Sequence, residues 1–89
     1  PGVKFVQERI GTTANYWLNT LILDSADIKT RDGILATLND AGYGSRPAWR
    51  PMHLLAPFAD APRDDLSVSE DLYRRVISMP SGVGVCPPC

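Results

Sequence analysis

Few side chains in this sequence could do covalent or acid–base chemistry, and they lie far apart. The single histidine is His53, so any Ser-His-Asp or Cys-His mechanism must run through it. The cysteines, Cys86 and Cys89, fall within the last four positions. Two thiols and one distant imidazole do not close a four-ligand zinc site, so no metal site is expected. A redox Cys-x-x-Cys pair needs its first thiol at a helix N-terminus or beside positive charge. Here Pro87 and Pro88 separate the thiols, and no helix can follow them. A lysine nucleophile needs a desolvated or cation-flanked pocket. Lys29, flanked by Asp27, Thr30, Arg31 and Asp32, reads instead as a solvated loop, and Lys4 precedes the clearest strand. Neither a GxGxxG nor a GxxxxGK[ST] phosphate loop occurs. Arg46 could grip a phosphate or carboxylate, and Trp17 and Trp49 could stack on a base or a sugar. The commoner roles are a solvated edge arginine and core or interface tryptophans. No catalytic residue is assigned, so the chain reads as part of something larger.

The elements that must position these residues belong to one small unit. The chain has 89 residues, 44% of them hydrophobic and 21% charged, which fits a folded domain rather than a disordered tail. At this length roughly 60–65% of the unfolded surface can be buried, so the core must be thin. Nine Lys and Arg oppose ten Asp and Glu, leaving a net charge of −1. That balance argues against a nucleic-acid partner and removes any polybasic membrane signal. No apolar run approaches the roughly 20 residues of a membrane helix, and no charged-then-apolar leader opens the chain. A cytoplasmic protein with neither membrane nor nucleic-acid partners is expected.

Val3–Val6 is a short strand candidate, and Gly11–Ala14 a weak turn. Asn15–Leu23 is the clearest strand. Tyr16, Leu18, Thr20 and Ile22 share one face, Trp17, Asn19, Leu21 and Leu23 the other. Both faces are largely apolar, which predicts a central strand covered on both sides. A helix capped by Thr30 follows, with Ile34, Leu35, Leu38 and Ala41 as its apolar stripe. Gly42 is a natural left-handed terminator, with Tyr43 packing back on Leu38. Arg46–Trp49 is an edge segment, because Pro47 cannot donate to a ladder. One helical turn fits Met52–Leu55. Ser67-Val68-Ser69-Glu70 reads as a capping box, opening a helix with Val68, Leu72, Val76, Tyr73 and Ile77 inward and Glu70–Arg74 and Asp71–Arg75 as i,i+4 pairs. Pro80 stops it, and Ser81–Val85 forms a last strand. The fold class is α+β: a small, mainly antiparallel sheet with two or three helices packed on one face, spanning residues 1–85, with 86–89 a frayed tail.

The order of several short segments resembles the C-terminal small domain of the DegT/StrS family, pyridoxal-phosphate-dependent nucleotide-sugar aminotransferases. The segments are Asn15-Tyr16-Trp17-Leu18-Asn19, the helix with Ile34, Leu35 and Leu38, Ala41-Gly42-Tyr43-Gly44-Ser45-Arg46-Pro47, Trp49-Arg50-Pro51-Met52-His53, and Ile77-Ser78-Met79-Pro80-Ser81. The resemblance implies a whole enzyme that moves an amino group from glutamate to a keto-sugar, as in the 4-amino-4,6-dideoxy sugars of surface polysaccharides. It places Arg46, Trp49 and His53 near the substrate, at the mouth of an active site built across a dimer. It also implies that the catalytic lysine lies in a large domain that this chain lacks. Neither Lys4 nor Lys29 matches the family's lysine motif, so the chain itself is expected to hold no cofactor. It reads as a fragment or truncated product, not catalytic alone.

The alternative is a stand-alone binding or oligomerisation module reusing the same fold. Both readings leave Trp17, Leu21 and Leu23 half covered, which predicts a homo-oligomer burying on the order of 1,200–2,000 Å² in total.

Overall fold

The computed structural model describes residues 2–82. Strand β1 (Val3–Phe5) and strand β2 (Asn19–Leu23) are followed by helix α1 (Ile28–Asp40) and strand β3 (Arg46–Pro47). Two single 3₁₀ turns, Met52–Leu54 and Ala56–Phe58, precede helix α2 (Ser67–Arg75) and strand β4 (Val76–Met79). The sheet runs β1-β2-β4-β3, antiparallel throughout. It is the expected α+β arrangement, with β2 central and the Pro47 segment at an edge.

Register explains the core. Phe5, Leu21, Ile77 and Pro47 sit opposite one another across the four strands. Alternation puts Leu23 and Met79 on the same face. There α1 lays down Leu35, with Ile34 and Leu38 beside it, and Leu23 and Ile77 are buried beneath. The α1 stripe is the expected one at Ile34, Leu35 and Leu38, whereas Ala41 lies past the end of α1 as its C-cap and is exposed. Helix α2 packs beside α1 and buries none of its own residues. Buried Arg31 joins the two helices. It donates from Nη1 to the Tyr73 carbonyl at 2.6 Å, its guanidinium lies 4.7 Å from the Tyr73 ring centroid, and it pairs with Asp32 at 2.8 Å.

Helix α1 ends as expected. Gly42 adopts φ 92°, and the amides of Gly42 and Tyr43 donate to Asn39 and Leu38 carbonyls. That is the two-bond Schellman closure, with glycine at the left-handed position.

Five local expectations are corrected. Strand β2 begins at Asn19, not Asn15. The Asn15 side chain accepts the Trp17 amide at 3.0 Å, and Tyr16 sits at φ 50°, so a local turn takes the backbone out of extended geometry. Asp27, not Thr30, caps α1, accepting the Lys29 amide at 3.0 Å, while the Thr30 hydroxyl donates back to Asp27. The Ser67 capping box does not form. The Ser67 amide donates to Asp65, and Glu70 bonds elsewhere. The second helix stops at Arg75, and Val76 turns directly into strand geometry at φ −91°, ψ 132°. The helical spacing of Val68, Leu72 and Val76 continued the pattern too far. The β-branched pair Val76-Ile77 belongs to β4, where Ile77 becomes the most buried residue of the core. Ser81 and Gly82 are not in a strand, and the rest of the expected last strand, with the 86–89 tail, lies outside the described residues.

Candidate functional site

The β3 edge borders an open groove of about 570 Å³. Arg46 and Pro47, Met79, Pro80 and Ser81, and Trp17 and Trp49 line it. Local chemistry fixes both tryptophan-bearing segments. Trp17 follows the Asn15 turn, and its carbonyl accepts the Ser81 hydroxyl at 2.6 Å, which ties that turn to the end of β4. Trp49 is carried by the stretch that leaves β3, where Pro47 ends the ladder. Trp17 is 73% exposed and Trp49 94%. Two solvent-facing indoles and an arginine along one groove, the Arg46 Nη1 donating to the Ser45 carbonyl at 3.4 Å, make a surface suited to a planar or ring-shaped anionic group. The indoles offer stacking faces, and Arg46 offers a planar fork of donors.

The three residues expected near a substrate are not gathered in one hollow. Arg46 and Trp49 share the groove. His53 lines a neighbouring hollow of about 390 Å³ with Trp49, Leu66, Ser69 and Tyr73, so Trp49 borders both. The His53 Nε2 lies 2.6 Å from Glu70 Oε1, with its side chain 9% exposed. A carboxylate only accepts, so Nε2 carries the proton in this bond. Glu70 is the residue that sequence reasoning assigned elsewhere. The spacing offers it the Ser67 amide and Arg74, whereas its oxygen meets His53. The i,i+4 pair that forms in α2 is Asp71–Arg75 at 3.0 Å, although the Arg75 N–H is not aimed at the carboxylate. Met79 and Ser81 are groove residues that the sequence pattern does not mark: helical spacing runs through Met79, and Ser81 reads as the start of a further strand.

Of the residues expected at an interface, Trp17 is open to solvent. Leu21 is half-buried against the core, and Leu23 is 4% exposed and occupied within the chain.

Lys4 is exposed on β1 and Lys29 is exposed in the first turn of α1. Neither lines the groove or the His53 hollow. A lysine that binds a cofactor aldehyde needs a pocket that desolvates it and a cradle for the phosphate. The residues of this chain do not fit that group. No cluster of three or more metal-ligating side chains occurs among the described residues. No helix among them is long and apolar enough to cross a membrane.

The model of the DegT/DnrJ/EryC1/StrS aminotransferase family matches residues 2–87. The chain belongs to this family. It is 38% identical over 85 residues to EpsN of Bacillus subtilis, which its name places among pyridoxal phosphate-dependent aminotransferases, covering 91% of this chain and 21% of that protein. It is 33% identical over 81 residues to a GDP-perosamine synthase of Vibrio cholerae, covering 90% and 22% of the two chains. A GDP-perosamine synthase of Caulobacter vibrioides is 31% identical over 70 residues, covering 79% and 19%. The chain thus spans about a fifth of the length of these relatives and resembles part of an aminotransferase.

Proposed function

We propose that this chain is the small-domain part of a pyridoxal-phosphate-dependent aminotransferase acting in the cytoplasm on a nucleotide-linked keto-sugar. It is not catalytic alone. The observation that carries this reading is a pairing: a family match over almost the whole chain, with both lysines remote from the groove. The cofactor and its lysine then belong to the other four-fifths of the enzyme, and this chain supplies a binding wall. The sugar-nucleotide class is supported by the two GDP-perosamine synthases among the relatives. On the wall, Arg46 would meet an anionic group and Trp49 would stack, with His53 behind Trp49. Trp17 and its neighbour Leu18 would meet a second copy or the remainder of the enzyme, since both are exposed. The family match supports this reading over a stand-alone module.

The test is a chimera. The chain replaces the matching segment of the Vibrio cholerae GDP-perosamine synthase, and transamination is compared with the same enzyme lacking that segment. The chimera is expected to be active and the shortened enzyme inactive. A folded chimera no more active than the shortened enzyme would overturn the reading.

A further inference from the structure

The segment that carries Trp49 and His53 has little regular structure. Residues 49–63 hold only the two 3₁₀ turns, closed by the amides of Leu54, Leu55 and Phe58 donating to Pro51, Met52 and Leu55, each at 3.0 Å. Arg63 adds bonds to the carbonyls of Phe58, Ala59 and Ala61. All of these are local. Among the described residues, the one hydrogen bond joining the segment to the rest of the protein is His53 Nε2–Glu70 Oε1. It reaches α2 beside the hollow of about 390 Å³ that separates the segment from that helix. As the one hydrogen bond across this boundary among the described residues, it has a large share in the polar attachment of the segment.

The other partners open to Glu70 are not engaged. The Ser67 amide is taken by Asp65. Arg50 and Arg74 line a hollow on another side of Glu70, and neither forms an ion pair with it among the described residues. Glu70 is 39% exposed while its histidine partner is 9% exposed. Removing the carboxylate would leave a nearly buried imidazole N–H without an acceptor. Water entering where the carboxylate stood can satisfy that N–H, but the segment then loses its hydrogen bond to α2 and is freer to move.

We propose that Glu70 is a positioning residue: by holding the His53 ring it fixes residues 49–63 against α2 and sets where Trp49 and His53 stand beside the groove. Its consequence for substrate rests on the aminotransferase reading above; its consequence for the segment does not.

Two measurements separate these. The first is amide hydrogen exchange on the 89-residue chain, comparing Glu70→Ala with Glu70→Gln. Glutamine keeps an acceptor oxygen at the same reach. Glu70→Ala is expected to speed exchange at Leu54, Leu55 and Phe58 by about tenfold, with α1 and β2 unchanged, and Glu70→Gln to stay near the parent. Unchanged exchange at those amides in Glu70→Ala, or equal acceleration across the whole chain, would overturn the proposal. The second uses the active chimera. There Glu70→Ala is expected to raise KM for the sugar nucleotide severalfold with kcat little changed, and Glu70→Gln to restore it. Equal KM values in parent and Glu70→Ala chimeras would overturn the link to substrate. A chimera inactive before any substitution counts against the aminotransferase reading alone, and the exchange experiment still decides the role of Glu70.

Discussion

Asn39 and Ser45 show how single side chains hold the groove edge in place. The Asn39 amide nitrogen donates to the Leu35 and Ser45 carbonyls at 2.9 and 3.1 Å, and its oxygen accepts the Ser45 amide at 2.9 Å. Ser45 is buried directly before Arg46, so this bracket sets where β3 and its arginine begin. Asn39→Ala leaves the Ser45 amide without its side-chain acceptor and should cost about 2–3 kcal/mol in urea denaturation. The helix starts give a sharper contrast. Asp27→Ala should cost about 1 kcal/mol, since Asp27 caps α1, and Thr30→Ala should cost less. A larger loss for Thr30→Ala than for Asp27→Ala would place the cap at Thr30 after all. At α2, Asp65→Ala should cost more than Ser67→Ala, because the Asp65 carboxylate accepts both the amide and the hydroxyl of Ser67.

Among the elements, β4 decides most. It joins β2 to β3, it carries the fully buried Ile77, and its last residues, Ser78 and Met79, line the groove. Ile77→Ala should cost about 2–5 kcal/mol, and Val76→Ala, half-buried beside it, clearly less; urea midpoints check both. Had these residues been the last turn of a helix, that order would not be required. The sequence made some elements legible and hid others for physical reasons. The α1 stripe and the Gly42 terminator could be read because helix spacing and left-handed backbone leave local marks. The start of β2 was obscured because Asn15 and Tyr16 fit a strand by pattern yet turn locally. The junction of α2 and β4 was obscured because apolar spacing at i, i+4, i+8 runs on past Arg75 with no glycine or proline to mark the change. Arg46, Trp17 and Trp49 were recognisable as candidates by type. Their meeting at one groove was not, since it depends on β4 lying between β2 and β3. The His53–Glu70 bond left no sequence mark, because it spans 17 residues and competes with two good local partners for Glu70.

For the molecule as a whole, the groove remains open while the core is satisfied. Leu23 and Ile77 are enclosed within one chain, but Trp17, Leu18 and Trp49 face solvent. An apolar surface of that kind favours association. Sedimentation at micromolar concentration should give at least twice the monomer mass, and Trp17→Glu should return it to monomer without loss of helix content. A monomer at millimolar concentration would assign Trp17 to the remainder of the enzyme rather than to a second copy. The central claim is that this chain is a wall of an aminotransferase and not its chemical centre. Borohydride reduction of the chain mixed with pyridoxal phosphate, followed by intact mass and peptide mapping, tests it most directly. The account predicts no stoichiometric pyridoxyl adduct, only slow and non-selective labelling of the exposed Lys4 and Lys29. One saturating adduct at either lysine, formed at low cofactor concentration, would contradict it.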